Sequence, residues 1–457
     1  MPAFTLAEVA KITGAKILKQ AKAEFTDIVT DTRKITNGVL FVAFKGERFN
    51  GEDFAGEALS KGAAGVLVSN EFDLTKLTVC EGTVLAVADT LLAYQQLAHA
   101  WRMKFKDLPV IAITGSNGKT TTKDLTAAVL SAKGAVLKTK ANFNNEIGLP
   151  LTLLQINESH TAAVVEIGMR GLHQIEAMAP IASPKVGIVT NVGETHMELL
   201  GSLENIAKAK SELVEAIPSG GTVILNADNP YVAAMREKAK TGVEVITFGI
   251  EQPADVLGSD IKTAAGHTVF KVTYAGEQHE YEIAMVGIHN VYNSLAAIAA
   301  GFAMGLSAAE IATGLRNLEA TKMRFECKKI KDWNIINDAY NASPMSMTAA
   351  INTLADLTKG RKIAVMGDML ELGSVAKTAH LKVGEELAEH NFAAVVTRGE
   401  MGNYIAEGAK KGGIKMVYSC QSHAEAAQRL HELLKTGDTI LFKGSRGMQM
   451  EKIIDLL

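Results

Sequence analysis

Residues 110–114, VIAIT, run directly into the loop GSNGK and then into a helix-forming stretch that opens TTTK. That order limits the folds open to the chain more than any other feature. A buried strand that feeds a helix over a two-glycine turn belongs to a parallel sheet with crossover connections. The loop amides and the helix N-terminus then face one point, where negative charge is stabilised. Gly115 and Gly118 permit the tight turns, Ser116, Asn117 and Thr121 complete the cradle, Lys119 adds charge, and the Thr120 hydroxyl can ligate Mg²⁺. Ile113, five residues before Gly118, stands where a G-x-x-x-x-G-K-[ST] loop would have its first glycine, so this is a shorter G-x-x-G-K-T form. The glycine pairs at 220–221 and 412–413 lack this context and read as turns.

The same alternation extends both ways. Short strands are predicted at 38–44, 65–68 and 83–88, followed by a helix over 90–105 that Pro109 brings to an end. Further strands are expected at 162–169, 185–192 and 221–227. Antiparallel hairpins are expected between 243 and 286, where VEVITFGI and HTVFKVTYAGEQHEYEIAMV follow closely, with helices from 290 to 318. A last alternating series places strands at 334–340, 362–368, 392–398, 415–419 and 439–444. The 457 residues make about three domains the expectation. We read α/β domains at 1–108, 109–318 and 319–457, the last a doubly wound, Rossmann-like unit.

A hydrophobic share of 47% and a charged share of 21% exclude disordered, collagen-like and coiled-coil classes. The net charge of −3 gives no general attraction to nucleic acid, so a phosphate site must be local. Cys80, Cys327 and Cys420 are far apart and lack metal spacing, which points to a reducing compartment. Glu8 and Lys11 interrupt the N-terminus where an export signal would be apolar, and that segment reads as an amphipathic helix. The longest apolar run, 295–306, is shorter than the ~18 residues a spanning helix needs. A cytoplasmic protein with no membrane association is the expectation.

With its loop, the chain resembles the Mur ligases, ATP-dependent amide-bond-forming enzymes of bacterial cell-wall precursor synthesis. The segments that carry the resemblance run in order along the chain: DTRKITNGVLFVAFKG (31–46), TGSNGKTTTK (114–123), NFNNEIGLP (142–150), EIGMR (166–170), TNVGETHMELLGSLENIAKAKSE (190–212), GIHNVYNSLAA (287–297), MRFE (323–326), NDAYNASPMSM (337–347), GDMLELG (367–373) and LFKGSRGMQME (441–451). The resemblance is greatest to the member that joins D-alanyl-D-alanine to a UDP-N-acetylmuramoyl-tripeptide. It implies a substrate-binding first domain, a central ATPase domain and a third domain that closes over ATP, acting on small molecules as a monomer. NDAYNASP and GDMLELG replace the DNPR-type signature of the sister ligase that forms the tripeptide. Folylpolyglutamate synthetase fits less well, because 109 residues precede this strand and loop. A nucleotide-dependent switch without ligase chemistry is the rival of a different class.

Carried over residue by residue, the resemblance makes Glu166 and, with Thr120, His196 ligands for two Mg²⁺ ions. For Glu166, which ends the strand AAVVE, an ordinary salt bridge stays open, and a lone histidine is more often structural. Arg324 would reach the ATP phosphates and Asp338 the ribose hydroxyls. Asn290 and Asn293 share a helix face, either beside the adenine or as an N-cap and a polar neighbour. Thr32, Arg33, Lys45 and Gly46 match the UDP-binding region, where an Arg fork suits a pyrophosphate. Asn142, Asn144 and Asn145, with Tyr340 and Asn341, match substrate-binding positions, although asparagines also form turns. Lys443 and Ser445 match a C-terminal loop. The resemblance also marks Lys210 as a lysine carbamylated by CO₂.

The sequence adds an argument of its own for that lysine. Leu203, Ile206, Ala207, Lys210, Leu213, Val214 and Ile217 form one helical stripe, while Glu204, Asn205, Lys208, Ser211, Glu212 and Glu215 lie opposite. Lys210 is then the one charge on the apolar side, either desolvated and reactive or snorkelling its stem along that face.

Overall fold

The computed structural model describes every residue except 1, 47–48, 78–80, 265 and 319–322, so Cys80 and the expected boundary after 318 lie outside the described residues. Packing divides the chain into two compact units. The first comprises Met1–Ala112, Lys133–Gly168 and Glu176–Val186, and the second Ile113–Ala132, Met169–Ile175 and Gly187–Leu457.

In the first unit, Asp27–Val29, Val39–Val42, Gly65–Ser69 and Thr83–Val87 pair in parallel, with Lys16–Lys19 antiparallel on the edge. All residues of Val39–Val42 and Thr83–Val87 are buried, as expected for strands covered on both faces. Asp89 caps the helix Thr90–Lys104 by accepting from the amides of Leu91 and Leu92. Near the other end of this helix the buried Arg102 guanidinium donates to three carbonyls, Ala182 at 3.1 Å, Phe105 at 2.5 Å and Leu108 at 2.9 Å. Those bonds anchor the helix end, the turn into the strand Val110–Thr114 and the end of the helix Gln174–Ala182. A strand not anticipated from sequence, Ala135–Lys138, lies parallel to His160–Glu166.

In the second unit, Thr222–Asn226, Glu244–Gly249 and Val256–Ala264 are successive parallel neighbours, and His267–Tyr274 and Glu277–Ile283 complete an antiparallel meander. The VEVITFGI segment therefore does not open a hairpin. The helical turns Pro230–Ala233 and Ala234–Lys238 precede it and carry the chain back to the starting edge, which parallel pairing requires. The last sheet has the order Glu326–Ile330, Trp333–Asp338, Thr439–Lys443, Lys362–Gly367, Ala394–Arg398, Met416–Cys420, parallel except for the first strand. Ile336, Ala364, Met366 and Leu441 face one core, while Ile335, Ile363, Val365, Ile440 and Phe442 face the other. This period-two split between two helical layers is the doubly wound pattern, and it puts Asp338, Gly367 and Lys443 at carboxyl strand ends, where such sheets bind ligands. Among the described residues no helix is long and apolar enough to cross a membrane.

Arg102→Leu leaves three carbonyls without their donor, and a loss of about 3 kcal/mol is expected for the first unit. Urea unfolding followed through Trp101, in a Trp333→Phe background, measures it. Arg102→Lys should recover only part, because one ammonium cannot reproduce a fixed fork of donors.

Candidate active site

The phosphate loop is shaped by the segment after the strand Val186–Val189. Thr190 donates to the Asn117 carbonyl at 2.6 Å, the Asn191 side chain donates to the same carbonyl at 3.1 Å and accepts from the Asn117 amide at 2.8 Å. Ser116 and Gly193 exchange a second pair of bonds, 2.9 Å and 3.0 Å. Gly115 (φ 148°) and Gly118 (φ 81°) are required twice over. Their backbone is in a region L side chains avoid, and a Cβ would come within 1.9 Å of Thr190 Oγ1 and 2.3 Å of Asn293 Oδ1 respectively. Gly118 starts the helix Lys119–Leu130, and Lys119 Nζ donates back to the carbonyls of Gly115 at 2.7 Å and Ser116 at 3.2 Å. Ser116 and Asn117 thus spend side-chain or backbone groups on holding the loop, and Thr121 is buried behind it.

Asn290 and Asn293 are both buried on the helix Ile288–Ala303. Thr122 donates to Asn293, Asn293 donates to Asn290, and Asn290 donates to the Val286 carbonyl at 3.2, 3.3 and 2.8 Å. What the structure shows for this pair is a brace between two helices.

Residues from the last sheet reach the same loop. Arg324 donates to the Thr120 hydroxyl at 2.9 Å and stacks over the Tyr340 ring at 4.2 Å. Its neighbours Met323 and Phe325 both have positive φ, 59° and 48°, so two residues adopt left-handed backbone to aim it. Ser343, the cap of the helix Pro344–Leu357, donates to Asn117 Oδ1 at 2.7 Å. Asp338 accepts from the Phe325 amide at 3.1 Å and pairs with the buried Lys443 at 2.5 Å, whose ammonium also donates to the Asn341 carbonyl. Beside them, burial pushes His289 down to about 4; Asp338 opposes this, and Lys443 and Arg324 add to it. Ser445 donates its amide to the Asp368 carbonyl and accepts from the Leu370 amide, so it shapes the 368–370 turn.

Lys210 lies on the helix Leu203–Ala216 and is 2% exposed, while Lys208 is exposed. Burial, then the charge of Lys119, holds the Lys210 ammonium well below its ordinary range. No hydrogen bond or ion pair to Lys210 is found among the described residues. Ser211, expected on the wet face, is buried instead; its hydroxyl donates to the Lys208 carbonyl, which removes the cost of hiding it. His196, left-handed at φ 56°, has Nδ1 2.7 Å from Glu371 Oε2. Burial lowers its pKa, Glu371 raises it, and Lys210 and Lys119 lower it again.

The remaining candidates belong to the first unit. Glu166 is 2% exposed; its carboxylate accepts from Asn144 at 2.7 Å and its amide donates to Thr139. Asn145 caps the Gly148 amide, and Asn142 is exposed. Thr32 and Arg33 lie in a short helical turn capped by Asp31, which also pairs with the exposed Arg33 at 2.7 Å. Lys45 bridges to Asn50, and the Gly46 amide donates to the Phe49 carbonyl. Sequence reasoning gave no individual role to Thr190, Asn191, Ser343, Glu371 or His289, although all five sit in the segments that carried the resemblance.

Comparison with known proteins agrees with this architecture. The family models for the Mur ligase family catalytic domain, the Mur ligase middle domain and the Mur ligase glutamate ligase domain match residues 24–102, 113–301 and 323–446. The chain is 41% identical to the UDP-N-acetylmuramoyl-tripeptide--D-alanyl-D-alanine ligase of Bacillus subtilis, covering 93% of this chain and 92% of that one. It is 33% identical to the Escherichia coli enzyme of the same name, covering 100% and 99%. A crystal structure of MurF from Acinetobacter baumannii superposes with a TM-score of 0.92 at 32% identity, over 100% of this chain and 99% of that chain. MurF ligase from Thermotoga maritima in complex with ADP gives 0.83 at 26%, over 94% and 96%. With three domain models matched in order along the chain and a relative 41% identical over 93% of it, the chain belongs to the Mur ligase family.

Proposed function

We propose that this chain is an ATP-dependent ligase that joins D-alanyl-D-alanine to UDP-N-acetylmuramoyl-tripeptide in peptidoglycan precursor synthesis, working as a cytoplasmic monomer. The observation that carries the reading is the end-to-end similarity to ligases of that name, over a chain whose strand, loop and helix form a phosphate cradle. In this reading residues 1–108 bind the UDP-linked substrate, 109–318 bind ATP, and 319–457 complete the ATP site and receive the dipeptide.

The terminal carboxylate of the tripeptide attacks the γ-phosphorus of ATP, and ADP leaves. The dipeptide amine then attacks the acyl carbon, and phosphate leaves as the amide forms. Lys119 and Arg324 bring positive charge to the loop, and Ser116, Asn117 and Thr121 shape it, so the work of this step is positioning and charge neutralisation. Asp338, at a strand end, takes the ribose, and Asn290 and Asn293 line the adenine side. Thr32, Arg33, Lys45, Gly46, Asn142, Asn144, Asn145, Tyr340 and Asn341 form the substrate contacts.

Mg²⁺ fits the donors. The Thr120 hydroxyl and the buried Glu166 carboxylate are hard oxygens of the kind Mg²⁺ takes. Thr120, Glu166 and His196 would hold it, and bound there it neutralises charge on the transferring phosphoryl group. Lys210 would act as its carbamate: a buried, desolvated amine is the neutral form that reacts with CO₂, and the product carboxylate supports the metal site.

Mass spectrometry of the product from ATP, the UDP-linked tripeptide and D-alanyl-D-alanine tests the assignment, and ADP release without amide formation would leave a nucleotide switch instead. Lys119→Ala and Thr120→Ala should stay folded and lose about 10²–10³ in ligation rate. Asp338→Ala should weaken ATP binding more than UDP-substrate binding in calorimetric titration; an equal loss for both would argue that freeing Lys443 merely disorders the strand ends. Lys210→Ala should abolish turnover, with partial rescue by a small added carboxylate, while Lys208→Ala stays active. Equal loss in both lysine variants removes the carbamate from the mechanism.

A further inference from the structure

Residues 190–193, which grip the phosphate loop, are themselves held from behind. Their four carbonyls alternate in what they meet, as in an extended chain. The Asn191 carbonyl accepts from the Ser116 amide at 2.9 Å and the Gly193 carbonyl from the Ser116 hydroxyl at 3.0 Å, so these two face the loop. The other two are taken up elsewhere. The Asn226 side chain donates to the Thr190 carbonyl at 2.9 Å, and the Asn229 side chain donates to the Val192 carbonyl at 3.0 Å. Asn226 ends the strand Thr222–Asn226, so beyond that end two carboxamides supply the donors that a neighbouring strand supplies within a sheet.

The turn that carries these asparagines is tied down in its own right. Asn226 Oδ1 accepts from the Asp228 amide at 2.9 Å. The Asp228 carboxylate accepts from the amides of Ile250, Glu251 and Gln252 at 2.6, 3.0 and 2.7 Å, and from the Tyr292 hydroxyl at 2.7 Å. Asn229 Oδ1 caps the helical turn Pro230–Ala233 through the Val232 amide at 3.2 Å. Each carboxamide thus spends its oxygen inside the turn and its nitrogen on segment 190–193. Asn226 is 6% exposed, so its donor is committed in a site where solvent offers little replacement.

We propose that Asn226 and Asn229 are positioning residues of the phosphate loop: they orient the peptide groups of 190–193, and those in turn fix Ser116 and Asn117. Without them the Thr190 and Val192 carbonyls lose their donors, the peptide groups between can rotate, and the bonds to Ser116 lose their geometry. The consequence for nucleotide binding rests on the ligase reading. The ordering of the loop does not.

Hydrogen exchange of the full-length chain, read by mass spectrometry on peptides spanning 113–120, and calorimetric titration with Mg²⁺-ADP test it together. Asn229→Ser is the more discriminating variant, because serine caps a helix about as well as asparagine but is too short to reach Val192. It should keep the unfolding midpoint, speed exchange across 113–120 and raise the Kd for Mg²⁺-ADP about threefold to tenfold. Asn226→Ala should do likewise to exchange and affinity. In a Thr190→Val background it should add less than about twofold, because both changes loosen the same peptide groups. Unchanged exchange in Asn229→Ser overturns the proposal, and that variant decides alone where Asn226→Ala does not fold. Faster exchange with unaltered affinity also overturns it, since the asparagines would then brace only the sheet end, and so do independent, multiplying effects of Asn226→Ala and Thr190→Val. A wild type without affinity for Mg²⁺-ADP would refute the nucleotide reading, while the exchange result still decides whether the asparagines order the loop.

Discussion

The Asn117 carbonyl is gripped from two sides, by the Thr190 hydroxyl and the Asn191 amide, and this grip is what the rest of the site depends on. Gly115 and Gly118 have no side chains with which to hold the loop open, and glycine loses the most conformational freedom on ordering. Here the ordering comes from the segment that follows the strand Val186–Val189, which also exchanges bonds with Ser116 through Gly193. The close approach of Thr190 to Gly115 leaves no room for a Cβ, so loop and grip are specified together.

Around that loop the chain gathers cations where an ordinary core would exclude them. Lys210 is 2% exposed, Lys443 is buried against Asp338, and Lys119 and Arg324 face the loop itself. Their mutual effect is legible in the depressed protonation of Lys210, driven first by burial and then by Lys119, and of His289, driven first by burial. Like charges held this close raise the free energy of the protein alone and are relieved by an anionic partner. A fold that keeps them is arranged for phosphate groups to arrive.

The last sheet contributes through strand ends rather than through its interior. Arg324, Ser343 and Glu371 come from three different connections, and each meets a different part of the phosphate site: Thr120, Asn117 and His196. Backbone in the left-handed region accompanies two of the three, at Met323 and Phe325 around Arg324 and at Glu371 itself. Strain of this kind persists where surrounding packing over-determines the conformation.

Strands buried on both faces announce themselves as apolar runs, which is why Val110–Thr114, Lys362–Gly367 and Thr439–Lys443 were legible from sequence with their ends nearly right. The exposed edge strands Lys16–Lys19 and Glu326–Ile330 carry no such signal, and the pairing of Glu244–Gly249 was misread because an apolar run does not say which way its neighbour points. The phosphate loop was legible locally, in glycines that permit backbone other residues rarely adopt. The helical period likewise singled out Lys210, since a stripe needs only neighbours one turn away. Periodicity could not tell that Ser211 would be buried, because a hydroxyl that bonds its own helix can cross to the dry side. Nor could it join residues far apart in the chain: Thr190 to Asn117, Arg324 to Thr120 and Glu371 to His196 are neighbours only because strand order brings their loops together. Local backbone chemistry determined the cradle, and tertiary packing alone decided what holds it and what faces it.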